Sequence, residues 1–261
     1  MVKKLVQHLK YALKTFLGAI TFYTIIPLPS KCPQLFQQLA RWSPLLGILL
    51  GGGLGLADVW LNFLGFPLII RSALIVVVWL ILTGGLHLDG AIDTADGLGA
   101  TDSTRRLKIM QDSVTGAFGV MAAVVILGLK TIALSEITSY RWLVLMIAAG
   151  WGRWGQVVAI IFYPYLKPTG KGAFHKQSIQ LPQDLFLGLG SLLTLSGLLI
   201  LFDIHHWWLG IEVAVVGSSI AIITGFWFYQ RLGGHTGDTY GAVVEWSEAL
   251  ILSILTCRFV T

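Results

Sequence analysis

The chain has 261 residues, 55% of them hydrophobic and 12% charged, with a formal net charge of +5. Soluble domains carry about 25% charged residues, so this composition excludes an ordinary water-soluble globule. It points to an all-α, polytopic integral membrane protein, one domain over residues 1–261, with membrane lipid as its surroundings and no nucleic-acid partner. Cys32 and Cys257 stand far apart without a CxxC pair, which predicts two free thiols rather than a zinc site or a disulfide framework.

In chain order, residues 5–26 come first. Lys3, Lys4, Lys10 and Lys14 flank Leu5, Leu9 and Leu13, the pattern of a helix that lies in the interface or re-enters it. The stretch has no clear small-residue cleavage site and is not expected to be a removed signal peptide. Apolar runs follow at 45–64, 67–86, 114–134, 142–162, 185–202 and 207–229. Each approaches the length needed to cross a hydrocarbon core of about 30 Å. A shorter apolar end, 249–260, dips into the bilayer or spans it with tilt. The expected total is six to eight membrane helices.

The polar connections at 27–43, 87–113, 163–184 and 230–248 hold nine of the eighteen basic residues. The short connections near 65–66, 135–141 and 203–206 hold only Arg141. Lysine and arginine mark the cytoplasmic side, so the four basic connections are expected there. Nine of the thirteen carboxylates share that face: Asp89, Asp93, Asp96, Asp102, Asp112, Asp184, Asp238, Glu245 and Glu248. Loops distant in sequence can therefore converge on one polar site at the cytoplasmic rim.

Five of those acids fall in "GGLHLDGAIDTADGLGATDSTRRLKIMQDS", residues 84–113. On a helix, Asp89, Asp93 and Asp96 occupy i, i+4 and i+7, within an arc of roughly 60°. Like charges so placed repel, and a cation should offset them. Hard oxygen donors without Cys or paired His suit Mg²⁺, with Mn²⁺ as the alternative. Arg105, Arg106 and Lys108 can grip phosphate oxygens. Carboxylates, cations and glycines together suggest a metal-bound phosphate or pyrophosphate; the competing reading is a solvated acidic loop paired with its own arginines. His87 lies off the acidic arc and is a candidate proton acceptor, substrate contact or helix-start residue.

Two further stretches add candidates. "RLGGHTGDTYGAVVEWSE" offers His235 and places Asp238, Glu245 and Glu248 on one helical face; "YPYLKPTGKGAF" offers Lys167 and Lys171 as an anion-binding loop. Arg153 sits inside an apolar span, where an arginine needs a partner: a phosphate or a site carboxylate. Asp58 and Glu212, nearer the opposite face, are expected to be polar rim or helix-pairing residues. The tryptophans are read as interfacial anchors and packing residues.

"GGLHLDGAIDTADGLGA", "RRLKIMQDSVTGAFG", "GGHTGDTYGA", "FYTIIPLP" and "RWSPLLGILLGG" together resemble cobalamin synthase, the adenosylcobinamide-GDP ribazoletransferases. The resemblance implies a multi-pass enzyme of the prokaryotic plasma (inner) membrane that requires Mg²⁺. Its substrates would be adenosylcobinamide-GDP and α-ribazole or its 5′-phosphate, its products adenosylcobalamin (or its 5′-phosphate) and GMP. Asp89, Asp93, Asp96, Asp112 and Asp238 are then the expected metal ligands. His87 or one of the first three aspartates would take the acceptor's proton. Arg105, Arg106, Lys108, Arg153, Lys171 and His235 are the expected substrate and phosphate contacts. A homo-oligomer is compatible with this reading. A weaker likeness links Asp93, Asp96, Gly97 and Ala100 to CDP-alcohol phosphotransferases, with Thr101 where arginine is expected. A cation transporter is a third reading, disfavoured because the acids cluster at one rim and no repeat is visible.

Overall fold

The computed structural model describes residues 2–167, 170–202 and 204–259. Its regular elements are helices: α1 (Val2–Tyr23), α2 (Ser43–Phe63), α3 (Leu68–Leu82), α4 (Leu86–Gly99), α5 (Arg106–Ile109), α6 (Ala117–Glu136), α7 (Arg141–Phe162), α8 (Lys171–Ser178), α9 (Gln183–Phe202), α10 (Trp208–Leu232) and α11 (Gly237–Phe259). Six of them, α2, α6, α7, α9, α10 and α11, are long and apolar enough to cross a membrane; α3 with α4 makes up to seven. α1 is not in this set. Its exposed Leu5, Leu9 and Leu13 form a stripe at helical spacing beside the four lysines, as an interfacial helix requires.

α7 is the central staff. It is buried along nearly its whole length because α2, α9, α10 and α11 surround it. Tight α2–α7 packing is possible because small residues line the seam. The sequence-derived span 67–86 needs correction. α3 stops at Leu82, and α4 leaves it at 90°. Gly84 and Gly85 take φ of +60° and +68°, left-handed values that cost glycine little, and two such residues in succession turn the chain. α4 therefore lies across the end of the bundle rather than along it.

The reading of 230–248 as a polar connection and 249–260 as a short apolar end is also corrected. Only residues 233–236 separate α10 from α11, and α11 is a full 23-residue helix able to span. Glu245 and Glu248 made this segment look like a loop. They lie inside the bundle instead, because Lys130 of α6 reaches both at 2.6 Å and Arg153 of α7 reaches Glu248 at 2.7 Å. Two cations balance two anions, so a polar sequence forms a buried helix.

At the far end from α4, Asp58 of α2 receives Arg141 Nε and Nη2 at 2.8 Å each, and Arg71 Nε lies 3.1 Å away. Arg141 also donates to the Leu134 and Ile137 carbonyls, two orphan acceptors at the end of α6. Glu212 pairs with Arg258 at 2.8 Å, joining α10 to α11. Both acids thus pair helices, as expected. Asp58→Ala would strand two buried guanidinium groups, a loss of about 3–5 kcal/mol. A clearly lowered thermal midpoint in detergent is expected; an unchanged midpoint would show that this clamp carries no stability.

Candidate functional site

The site is built where α4 crosses the first turns of α11 and α6. α4 meets α11 at glycines on both sides. A Cβ on Gly90 would stand 2.5 Å from the Asp238 carbonyl oxygen, and one on Gly241 would stand 2.7 Å from the His87 carbonyl oxygen. Only glycine permits backbones this close. The contact brings Asp89 and Asp93 of α4 beside Asp238 of α11.

The four acids have different surroundings. Asp89 is exposed, while Asp93, Asp96 and Asp238 are half-buried. Asp96 accepts from the backbone N–H of Gly116 and of Gly119, each at 2.7 Å, so it caps the start of α6 from a neighbouring helix. Asp238 accepts from Lys167 Nζ at 2.9 Å and from Thr236 Oγ1 at 3.2 Å. Partial burial, then the charges of Asp89, Asp238 and Asp96, raise the Asp93 carboxyl to about 6, with Lys167 opposing. Among the described residues no three His, Cys, Asp or Glu side chains converge as a closed metal cage.

Below these acids lies a cavity of about 230 Å³. Asp89, Asp238 and Lys167 stand at its mouth; Tyr23, His87, Gln156, His175 and Tyr240 line its depth. Gln156 donates to Tyr23 Oη at 3.2 Å, and Tyr23 Oη lies 3.5 Å from His175 Nε2. Other polar atoms here have no hydrogen-bond partner: both ring nitrogens of His87, Nδ1 of His175, Oε1 of Gln156 and the Tyr240 hydroxyl. These side chains are 2–3% exposed. Each buried atom left unpaired costs about 1–3 kcal/mol, which a bound ligand would recover. Burial, reinforced by Arg153 and Lys130, holds the His87 imidazole well below the usual range; burial alone brings His175 to about 4. Burial thus favours the neutral form of both rings.

The remaining expected contacts fall elsewhere. Asp112 is exposed and its carboxylate accepts from the Val114 N–H at 3.2 Å, closing a local turn. Arg105 and Lys108 are exposed on the α4–α6 connection. Arg106 donates to the Arg231 carbonyl at 3.0 Å, tying that connection to α10. Arg153 is buried against Glu248, so its partner is a carboxylate of the bundle interior. Its Nε and Nη2 atoms have no partner. His235 is buried with Nδ1 on Thr239 Oγ1 at 3.0 Å and Nε2 on the Gly225 carbonyl at 3.2 Å, and its backbone pairs with Pro164 and Leu166. It pins the Lys167 loop rather than facing the cavity. Lys171 begins α8; its side chain lies outside the described residues. Sequence reasoning missed Tyr23, Gln156, His175, Tyr240 and Lys130. Two were visible as signals: Lys130 and Gln156 are polar residues inside otherwise apolar spans.

Residues 15–256 match the description of the cobalamin-5-phosphate synthase family. The chain belongs to that family. Relatives named adenosylcobinamide-GDP ribazoletransferase include one from Trichormus variabilis, 57% identical over 95% of this chain and 98% of its own. Another from Synechocystis is 50% identical over 90% and 91%. A more distant one from Desulfitobacterium hafniense is 39% identical over 90% and 93%. No solved structure matches the chain. The CDP-alcohol and cation-transport readings gain no support from these family members.

The raised Asp93 carboxyl has a stability consequence. With the folded-state value near 6 and an ordinary value near 3.9, the folded protein binds the extra proton between those limits. Stability contributed by Asp93 is therefore lost as pH rises through that window. In metal-free buffer, Asp93→Asn should raise the thermal midpoint by a few degrees at pH 7 and by nothing measurable at or below about pH 4. A lower midpoint at pH 7 would contradict the crowding.

Proposed function

We propose that this chain is a Mg²⁺-dependent adenosylcobinamide-GDP ribazoletransferase whose site faces the cytoplasm at the rim of a prokaryotic inner membrane. The carrying observation is the meeting of Asp89 and Asp238, from two helices, at the mouth of one polar cavity, with Asp93 crowded beside them, in a chain whose relatives bear that name along nearly their whole length. The acceptor is α-ribazole or its 5′-phosphate.

A ribose hydroxyl oxygen of the acceptor, one that stays free when the 5′ position is phosphorylated, forms a bond to the phosphorus attached to cobinamide. The bond from that phosphorus to the bridging oxygen breaks, and GMP leaves with the bond's electrons. Asp89 or Asp93, at or beside the mouth where the acceptor meets the phosphorus, takes the hydroxyl proton. One or two of the carboxylates of Asp89, Asp93 and Asp238 would hold Mg²⁺ together with the substrate phosphates. Such a donor set suits a cation that takes one or two carboxylates together with substrate phosphates, and the crowding around Asp93 favours a cation there. When bound, Mg²⁺ neutralises pyrophosphate charge and stabilises the leaving phosphate. Asp96 keeps α4 seated on α6. Lys167, paired with Asp238, is the cation at the cavity mouth that would meet substrate phosphate, and the exposed Arg105 and Lys108 of the α4–α6 connection would supply further cations.

GMP release from adenosylcobinamide-GDP and α-ribazole in Mg²⁺ tests the reaction. Asp93→Asn should lower turnover at least about a hundredfold, of order 3 kcal/mol in the barrier, with the protein still folded. Asp58→Asn, at the far end, should retain most turnover at a temperature where it is folded. Near-normal turnover of Asp93→Asn at limiting Mg²⁺ would remove Asp93 from the metal set.

Orientation is tested separately. In a background lacking Cys32 and Cys257, single cysteines at Ser103 and Gln180 should be labelled only from the cytoplasmic side. A cysteine at Asn62 should be labelled only from outside. Labelling of Ser103→Cys or Gln180→Cys from outside would overturn the cytoplasmic placement.

A further inference from the structure

The cavity divides into two chemical zones. Its mouth carries formal charges: Asp89, Asp238 and Lys167. Its depth carries none on Tyr23, Gln156 or Tyr240, yet presents hydrogen-bonding atoms that the protein does not pair. Five of these are fixed by packing: His87 Nδ1 and Nε2, His175 Nδ1, Gln156 Oε1 and Tyr240 Oη. The rings stand in a near-parallel array. Tyr23 lies between His87, at 5.9 Å and 22°, and His175, at 5.9 Å and 13°. These rings pack on one another as one wall of the cavity, and their orphan edge atoms receive planar groups that carry both donors and acceptors.

Size narrows the occupant. Pockets that enclose a whole ligand run from about 300 to 1,000 Å³; this cavity is about 230 Å³. It holds one end of a substrate and excludes a corrin ring. Polarity narrows it again. A benzimidazole attached to ribose offers a single free ring nitrogen, too few for the unpaired atoms present. A guanine offers a ring N–H, an exocyclic amine, a carbonyl and a free ring nitrogen along its edges. Gln156 Oε1 accepts from the N–H groups, while Tyr240 Oη and the imidazole nitrogens serve the acceptors.

We infer that the depth of this cavity is a purine pocket for the guanine of the nucleotide-activated substrate, held base inward with its phosphates at the acidic mouth. The inference rests on the ribazoletransferase reading for the identity of the nucleotide. The pocket is built by α1, α4, α7, α8 and α11 around Tyr23, His87, Gln156, His175 and Tyr240. The acceptor nucleoside then approaches from outside the pocket, toward the phosphorus that the mouth exposes.

Binding to the intact, membrane-embedded chain decides it, with GMP, ribose 5-phosphate and α-ribazole as probes. The unmodified protein should bind GMP at least about tenfold more tightly than ribose 5-phosphate, which keeps the phosphate and lacks the base. Gln156→Leu should weaken GMP by about tenfold or more and leave ribose 5-phosphate and α-ribazole within about twofold. His175→Phe keeps the ring stack, removes the nitrogen and should show the same pattern; it replaces Gln156→Leu if that variant does not fold. Equal binding of GMP and ribose 5-phosphate by the unmodified protein would overturn the pocket. So would a loss confined to α-ribazole in the variants, which would give the pocket to the acceptor. Turnover separates the two readings. Selective GMP binding without GMP release in Mg²⁺ sinks the reaction and leaves the pocket standing. GMP release with equal probe affinities sinks the pocket alone.

Discussion

The bundle turns on one buried ion group. Lys130 of α6 lies between Glu245 and Glu248 of α11, Glu248 continues to Arg153 of α7, and the Lys130 ammonium also sits 4.5 Å over the Trp79 ring of α3. Charges taken this far from water pay a large desolvation cost, and an apolar set of the same volume often stabilises as well. What the charges contribute is register. Lys130 can reach both glutamates only when α6 and α11 face each other at this turn, and Arg153 can reach Glu248 only when α7 meets them at the same height. Once those three helices are fixed, Gln156 stands one turn along α7 from Arg153, and Asp238, Tyr240 and Gly241 stand nearer the start of α11. The cavity is a downstream result of that pairing.

The rim follows a second constraint, backbone proximity. α4 must lie almost against the backbone of α11 for its acids to share space with Asp238. Gly90 and Gly241 allow that approach from the two sides, while the Gly84–Gly85 turn supplies the direction. Asp96 completes the seat by capping α6. A residue with the look of a metal ligand thus carries structure, and its neighbours Asp89 and Asp93 keep the freer carboxylates. Charge is kept at the surface of the site and neutrality below it, with His87 at the boundary.

Much of this was legible in the residues. Apolar run lengths gave most of the spans, and the i, i+4, i+7 spacing placed Asp89, Asp93 and Asp96 on one helix. Other features were hidden because they depend on partners distant in sequence. Glu245 and Glu248 read as loop acids until Lys130 and Arg153 are brought beside them. His235 looked like a substrate contact; only the fold shows Thr239 and Gly225 occupying its ring nitrogens. The cavity depth draws on five separate helices, and no local pattern links Tyr23 to His175. Gly84 and Gly85 suggested close approach, but the same dipeptide sets a right-angle turn that spacing alone does not reveal.

Tyr23 is the last residue of α1, and its ring forms part of the cavity wall. The other end of that helix carries Leu5, Leu9 and Leu13 outward among lysines. One helix thus carries an outward apolar stripe at one end and a wall of the cavity at the other, so a shift of α1 along or about its axis would move Tyr23 against His87 and His175.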